Sequence, residues 1–129
     1  MVGTRYGFEM YVDSYDRLVG AQLAASGTWR PKYVAALAQL VRPGSKVLNL
    51  GCQYGLEAIV LGKAVGSQGH LYLFEPYSIA HSIIAKNIEM NNLTKQTTLY
   101  KIAASDRDNK ATLNLKYENT GAGVIKQIS

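Results

Sequence analysis

At 129 residues, 47% of them hydrophobic, the chain has the length of one domain and enough apolar surface for a core, which excludes a disordered polar chain. A single cysteine, Cys52, excludes an intrachain disulfide and a cysteine-based metal cluster. The net charge of +5 comes from 14 Lys and Arg scattered without a run of three, the pattern of a solvated basic surface, so no nucleic-acid partner is expected. No stretch approaches the ~20 apolar residues of a membrane span, and Met1 to Tyr6 contain no signal-peptide core. The expectation is a cytoplasmic chain with no membrane association.

In chain order, Tyr6 to Val12 alternates loosely and predicts a short strand. Asp13 and Ser14 offer an N-cap for a helix to about Ala25, with Gly27 as its stop. Pro31 suits the first position of a second helix, where Val34, Leu37, Leu40 and Val41 recur at helical spacing until Pro43-Gly44 ends it. Lys46 to Gly51 is nearly continuous in apolar residues and predicts a parallel strand covered on both faces. The glycine turn Gly51-Cys52-Gln53-Tyr54-Gly55 follows, then a helix from Leu56 to Val65. His70 to Glu75 predicts a second strand that ends in an acid. Ser78 to about Asn91 predicts a helix with Ala80, Ile83, Ile84 and Ile88 on one stripe. Thr97 to Ala103 predicts a third strand and Ala111 to Tyr117 a fourth. Residues 1–44 read as a helical lead-in and 45–129 as a Rossmann-like half-domain within one structural domain. Right-handed crossovers place the third, second and first of the parallel strands side by side in that order.

The strand–glycine turn–helix–strand–acid sequence describes an adenosine pocket. Ligands of such sheets bind beyond the carboxyl ends of the strands. Glycines at Gly51 and Gly55 let the backbone turn sharply and let a ligand approach without a Cβ in the way, and the following helix aims its N-terminus at the site. Glu75, 20 residues after Gly55, is placed to accept hydrogen bonds from two ribose hydroxyls. A dinucleotide fingerprint needs a glycine where Gln53 stands, so a cofactor without a pyrophosphate fits better.

The run Val47-Leu48-Asn49-Leu50-Gly51-Cys52-Gln53-Tyr54-Gly55 resembles motif I of class I S-adenosylmethionine methyltransferases. Gly69 to Pro76, with Phe74-Glu75-Pro76 at its end, and Lys86-Asn87-Ile88-Glu89-Met90-Asn91-Asn92-Leu93 resemble the FkbM-type methyltransferases more specifically. Ala103 to Asp106 and Ser26 to Trp29 are similar to other segments of that family. The resemblance implies S-adenosylmethionine as cofactor and a small-molecule hydroxyl acceptor, on a sugar or natural product. It implies that Gly51, Gln53 and Gly55 line the methionine end, that Glu75 meets the ribose, and that Tyr77 with Ala103 or Ala104 meets the adenine. Asn49 stands where the family usually has an Asp that answers the cofactor's amine. Gln53 stands where it commonly has Asn, and Arg30 where it often has Glu.

The family continues with a further parallel strand and an acidic segment that nothing after Lys116 matches, so the sheet reads as stopping after its first βαβαβ half. Two readings follow: the cofactor half of a methyltransferase, inactive by itself, or a non-catalytic adenosine-cofactor-binding or interaction module. The inner edge of the first parallel strand lacks a partner strand, and self-association through it is expected. Ala111 to Tyr117 is expected to pair beside the third strand, leaving only Gly123 to Ile128 for the open edge. No general base is assigned; His70 and His81 read as surface or packing residues, and Cys52 as a small turn residue. Trp29 either covers the cofactor site or ties the N-terminal helices to the sheet.

Overall fold

The structure, a computed structural model, describes residues 1–106, 108, 110–116 and 119–127. The chain opens with strands β1 (Val2–Gly3) and β2 (Glu9–Met10), paired antiparallel. The strand expected over Tyr6 to Val12 is confined to its middle, because the chain turns at Gly7 (φ 77°), where the Thr4 N–H bonds the Phe8 carbonyl at 2.9 Å. Helix α1 (Val19–Ser26) starts later than expected. The Asp13 carboxylate accepts from the Tyr15 N–H at 2.9 Å, a local turn, rather than capping a helix. Asp16 serves the helix instead: its buried carboxylate accepts the N–H groups of Leu18 (2.9 Å) and Gly20 (3.2 Å) and the Tyr54 hydroxyl (2.9 Å). Gly27, at φ 67°, ends α1 and donates to the Leu23 carbonyl at 2.8 Å. Helix α2 (Pro31–Leu40) begins at the proline, as its sequence requires.

Three parallel strands follow: β3 (Lys46–Leu50), β4 (His70–Phe74) and β5 (Thr97–Tyr100), in the spatial order β3-β4-β5. The expected adjacency of third, second and first strand is therefore observed. The crossovers are helices α3 (Leu56–Val65) and α4 (Ser78–Met90). Leu71 and Leu73 of β4 are fully buried in one core with Ile59 and Val65 of α3 and Ile84 and Ile88 of α4. Leu71 lies directly beneath α3, since a Cβ on Gly62 would come within 3.2 Å of its Cδ1.

The other sheet face is open. Leu48 and Leu50 point the opposite way from this core and are 66% and 57% exposed. The expectation that the first parallel strand is buried on both faces is thus wrong: β3 lies at the edge of the sheet, and the two crossover helices cover one side only. The expectation for the last predicted strand also fails. Strand β6 (Ala111–Lys116) pairs antiparallel with β7 (Asn119–Gln127) in a separate two-stranded sheet, with Leu113 opposite Ile125, instead of joining β5. A hairpin across so short a connection satisfies both strands locally. The segment expected from Gly123 to Ile128 enters this hairpin, and its last residue, like Tyr117, lies outside the described residues.

One side chain ties three parts of the fold together. Asn87 on α4 is fully buried; its Nδ2 donates to the Tyr11 carbonyl (2.9 Å) and the Tyr54 carbonyl (2.8 Å), and its Oδ1 accepts the Tyr11 N–H (2.6 Å). It pairs with Tyr11 as a neighbouring strand would, and so fixes the N-terminal segment, the glycine turn and α4 to one another.

Candidate cofactor-binding site

Beyond the carboxyl ends of β3 and β4 the chain surrounds a cavity of about 570 Å³. Its floor is the glycine turn. Gly51 (φ 77°) and Gly55 (φ 84°) take the left-handed backbone that a Cβ disfavours, and Gln53 between them adopts φ 50° without being glycine. The Gly51 N–H bonds the Phe74 carbonyl at 2.8 Å, extending the β3–β4 pairing into the turn. Glu75, buried at the end of β4, holds the far side: its Oε2 accepts the Gln53 N–H and its Oε1 the Tyr77 N–H, each at 2.9 Å. One carboxylate thereby clamps the glycine turn to the entry of α4. Each of its oxygens keeps a further acceptor position.

Six of the eight residues singled out from the sequence line this cavity: Gly51, Gln53, Glu75, Tyr77, Ala103 and Ala104. Asn49 and Gly55 do not. The Asn49 Nδ2 is buried without a hydrogen-bond partner. Gly55 is the residue before α3; a Cβ there would meet Ile84 of α4 in ordinary contact at 3.6 Å, so its glycine serves the left-handed backbone of the turn, φ 84°, and not the approach of a ligand.

Trp29 and Arg30 reach the same cavity from the lead-in, and Glu57 from the first turn of α3. Trp29 thus belongs to the wall. The sequence marked Arg30 only as a departure from a family pattern and did not single out Glu57; its place two residues past the glycine turn was the available signal. Burial pushes the Glu57 carboxyl above its usual range, while a bond to its own backbone and the Arg30 guanidinium act the other way. Arg30 lies 4.4 Å over the Tyr33 ring and has φ 45°. Leu113, Leu115 and Ile125 of the hairpin supply an apolar side.

Cys52 is not a nucleophile here. It is 1% exposed, its Sγ lies 3.2 Å from the Asn49 carbonyl oxygen, and burial pushes its thiol up to about 12. His70 sits at the opposite end of β4 from Glu75, with Nε2 2.8 Å from the Thr98 hydroxyl and its ring against Tyr72. His81, on α4, is absent from the cavity wall. Among the described residues no group of three or more His, Cys, Asp or Glu is placed to hold a metal, and no helix is long and apolar enough to cross a membrane.

Solved structures with the same arrangement decide the architecture. An S-adenosylmethionine-dependent O-methyltransferase from Thermotoga maritima superposes with a TM-score of 0.55 at 22% identity, covering 64% of this chain and 33% of its own. The fold is that of the class I methyltransferases. A tRNA (m1A58) methyltransferase from Aquifex aeolicus shares this methyltransferase fold, with a TM-score of 0.53 at 21% identity over 81% of this chain and 42% of its own. In sequence, a protein-L-isoaspartate O-methyltransferase of Methanothermobacter thermautotrophicus is 35% identical over 60 residues, 45% of this chain and 28% of that protein. This chain therefore spans 28% to 42% of the length of these methyltransferases. No family model matches it. The FkbM-type likeness rests on the sequence motifs alone.

Proposed function

We propose that the chain binds S-adenosylmethionine and its product S-adenosylhomocysteine in this cavity, as the cofactor half of a methyltransferase that acts on a small-molecule hydroxyl. The carrying observation is the Glu75 clamp. A buried carboxylate at the end of β4 braces the glycine turn through the Gln53 N–H and keeps acceptor positions free on the cavity side. The cavity volume of about 570 Å³ falls within the ~300–1,000 Å³ typical of small-ligand sites. Tyr77, Ala103 and Ala104 line the cavity with Glu75 and offer a base one aromatic ring and two small side chains. Gln53, at φ 50°, puts a side chain where a dinucleotide fingerprint has glycine, which favours this cofactor over a dinucleotide.

When bound, the cofactor supplies a methyl group already activated on a sulfonium sulfur. The chain's own contribution is then to bind, orient and exclude water, with apolar Leu113, Leu115 and Ile125 also on the cavity wall. Two of the three compared methyltransferases are named for acceptors, and these differ, a tRNA and a protein isoaspartate, so the hydroxyl acceptor rests on the FkbM-type resemblance.

Calorimetric titration with S-adenosylhomocysteine and with NAD tests the reading. Binding of the first and none of the second is expected. Glu75→Ala removes charge-assisted bonds worth about 1.5 to 3 kcal/mol each, so affinity should fall about tenfold or more. Unchanged affinity in a Glu75→Ala protein that still melts cooperatively would place the ligand elsewhere.

A further inference from the structure

Two groups of opposite charge on the cavity wall have no part in the reading so far. Arg30 precedes α2, and Glu57 lies in the first turn of α3. These two helices pack against each other, so both charges come from the α2–α3 side of the cavity. Glu75, Tyr77, Ala103 and Ala104 come from the ends of β4 and β5 and the entry of α4. The cavity wall therefore draws on two chemically different sets of side chains. One carries a carboxylate and small or aromatic side chains suited to a ribose and a base. The other carries a guanidinium and a carboxylate together.

We propose that Arg30 and Glu57 recognise the α-amino-acid end of the ligand, Arg30 taking its carboxylate and Glu57 its ammonium. The inference rests on the cofactor reading above and adds a specificity determinant to it. An α-amino acid group is a zwitterion whose two charges sit on neighbouring atoms, and a single protein charge would attract one and repel the other. A neighbouring pair of opposite sign matches both. The planar guanidinium offers a carboxylate two parallel N–H donors. Its position is fixed from two sides, by the stack on Tyr33 at 4.4 Å and by a backbone held at φ 45° immediately before Pro31. Of the three non-glycine residues with positive φ among the described residues, Arg30 and Gln53 both line this cavity. Left-handed backbone at such residues carries a cost that collects at ligand sites. Glu57, partly withdrawn from water, gains most from a cation arriving beside it, and Arg30 alone leaves its carboxyl raised.

The experiment compares two ligands that differ only at this end. S-adenosylhomocysteine has the amino-acid group; 5′-methylthioadenosine keeps the adenosine and the thioether and lacks it. Both are titrated calorimetrically into the wild-type chain, Arg30→Gln, Glu57→Gln and Arg30→Lys, with thermal melts confirming the fold of each. In Arg30→Gln and in Glu57→Gln, affinity for S-adenosylhomocysteine should fall about tenfold or more, with affinity for 5′-methylthioadenosine held within about twofold. Arg30→Lys, which keeps the charge without the fork, should lie between. Glu75→Ala should weaken both ligands alike. If the Gln variants bind S-adenosylhomocysteine as the wild type does, or lose both ligands equally, the assignment of Arg30 and Glu57 is overturned while the cofactor reading stands. If the wild-type chain binds neither ligand, both fall.

Discussion

At the scale of single residues, the groups that chemistry singles out in a sequence are not always those that a fold leaves free to react. Cys52 follows the first glycine of the turn, but its thiol is buried and held up at about 12 from an ordinary value of 9.0. Native protein should therefore resist alkylation by iodoacetamide near neutral pH and react once unfolded; rapid labelling of folded protein would contradict the burial. Because the folded thiol keeps its proton to higher pH than the unfolded one, its contribution to stability is intact below about pH 9 and declines as pH rises toward 12. Glu57 carries the same sign at the acid end. Its carboxyl is raised above 4.5, so ionisation near neutral pH works against the folded state. Glu57→Gln should raise the melting temperature of the ligand-free protein at pH 7 by a few degrees, and the gain should shrink on acidification through the carboxyl's range. A variant that melts lower than wild type at pH 7 would show that the carboxylate stabilises the resting fold.

At the scale of elements, the supports are side chains that complete backbone bonding. Asp16→Ala would leave the Leu18 and Gly20 N–H groups and the buried Tyr54 hydroxyl without their acceptor, at about 1 to 3 kcal/mol for each group that stays dry. A melting temperature lowered by several degrees is expected, with Asp16→Asn recovering part of it; no change would mean that water replaces the carboxylate. Much of this level was legible in the sequence. Helices α2 and α3 follow from Pro31 and from the glycine turn, and β4 from an apolar run ending in Glu75, because local signals and the fold agree there. Of the six candidates that line the cavity, Gly51, Gln53 and Glu75 were legible from the strand ends and the glycine turn, and Tyr77, Ala103 and Ala104 from the family resemblance. The start of α1 was not, because the choice between Asp13 and Asp16 depends on Tyr54, which is 38 residues from Asp16 in the chain. Glu57 was missed because its significance comes from its nearness to Arg30, and no spacing rule connects helix α3 with the residue before α2. The open face of β3 was missed because a run such as Val47 to Leu50 signals burial without showing what supplies it.

For the whole molecule, that open face leaves apolar side chains of the sheet in solvent. Leu48 and Leu50 on β3, and Tyr100 and Ile102 at and beyond the end of β5, are each exposed by more than a third, and among the described residues one edge of β3 has no partner strand. Self-association of the 129-residue chain is expected, and light scattering across a dilution series should show a mass above the monomer that falls in Leu48→Lys/Leu50→Lys. A clean monomer at high concentration would count against it. The Asn87 bridge leads to a consequence of another kind. Through one amide, the exchange of the Tyr11 N–H with solvent is linked to the geometry of the turn at Tyr54. Linkage is reciprocal, so whatever ligand steadies the turn also steadies the N-terminal segment. Deuterium uptake at Tyr11 should slow when the cavity fills, although Tyr11 does not line it. Severing the bridge with Asn87→Leu should abolish that response, so that a backbone amide outside the cavity reports whether the site is occupied.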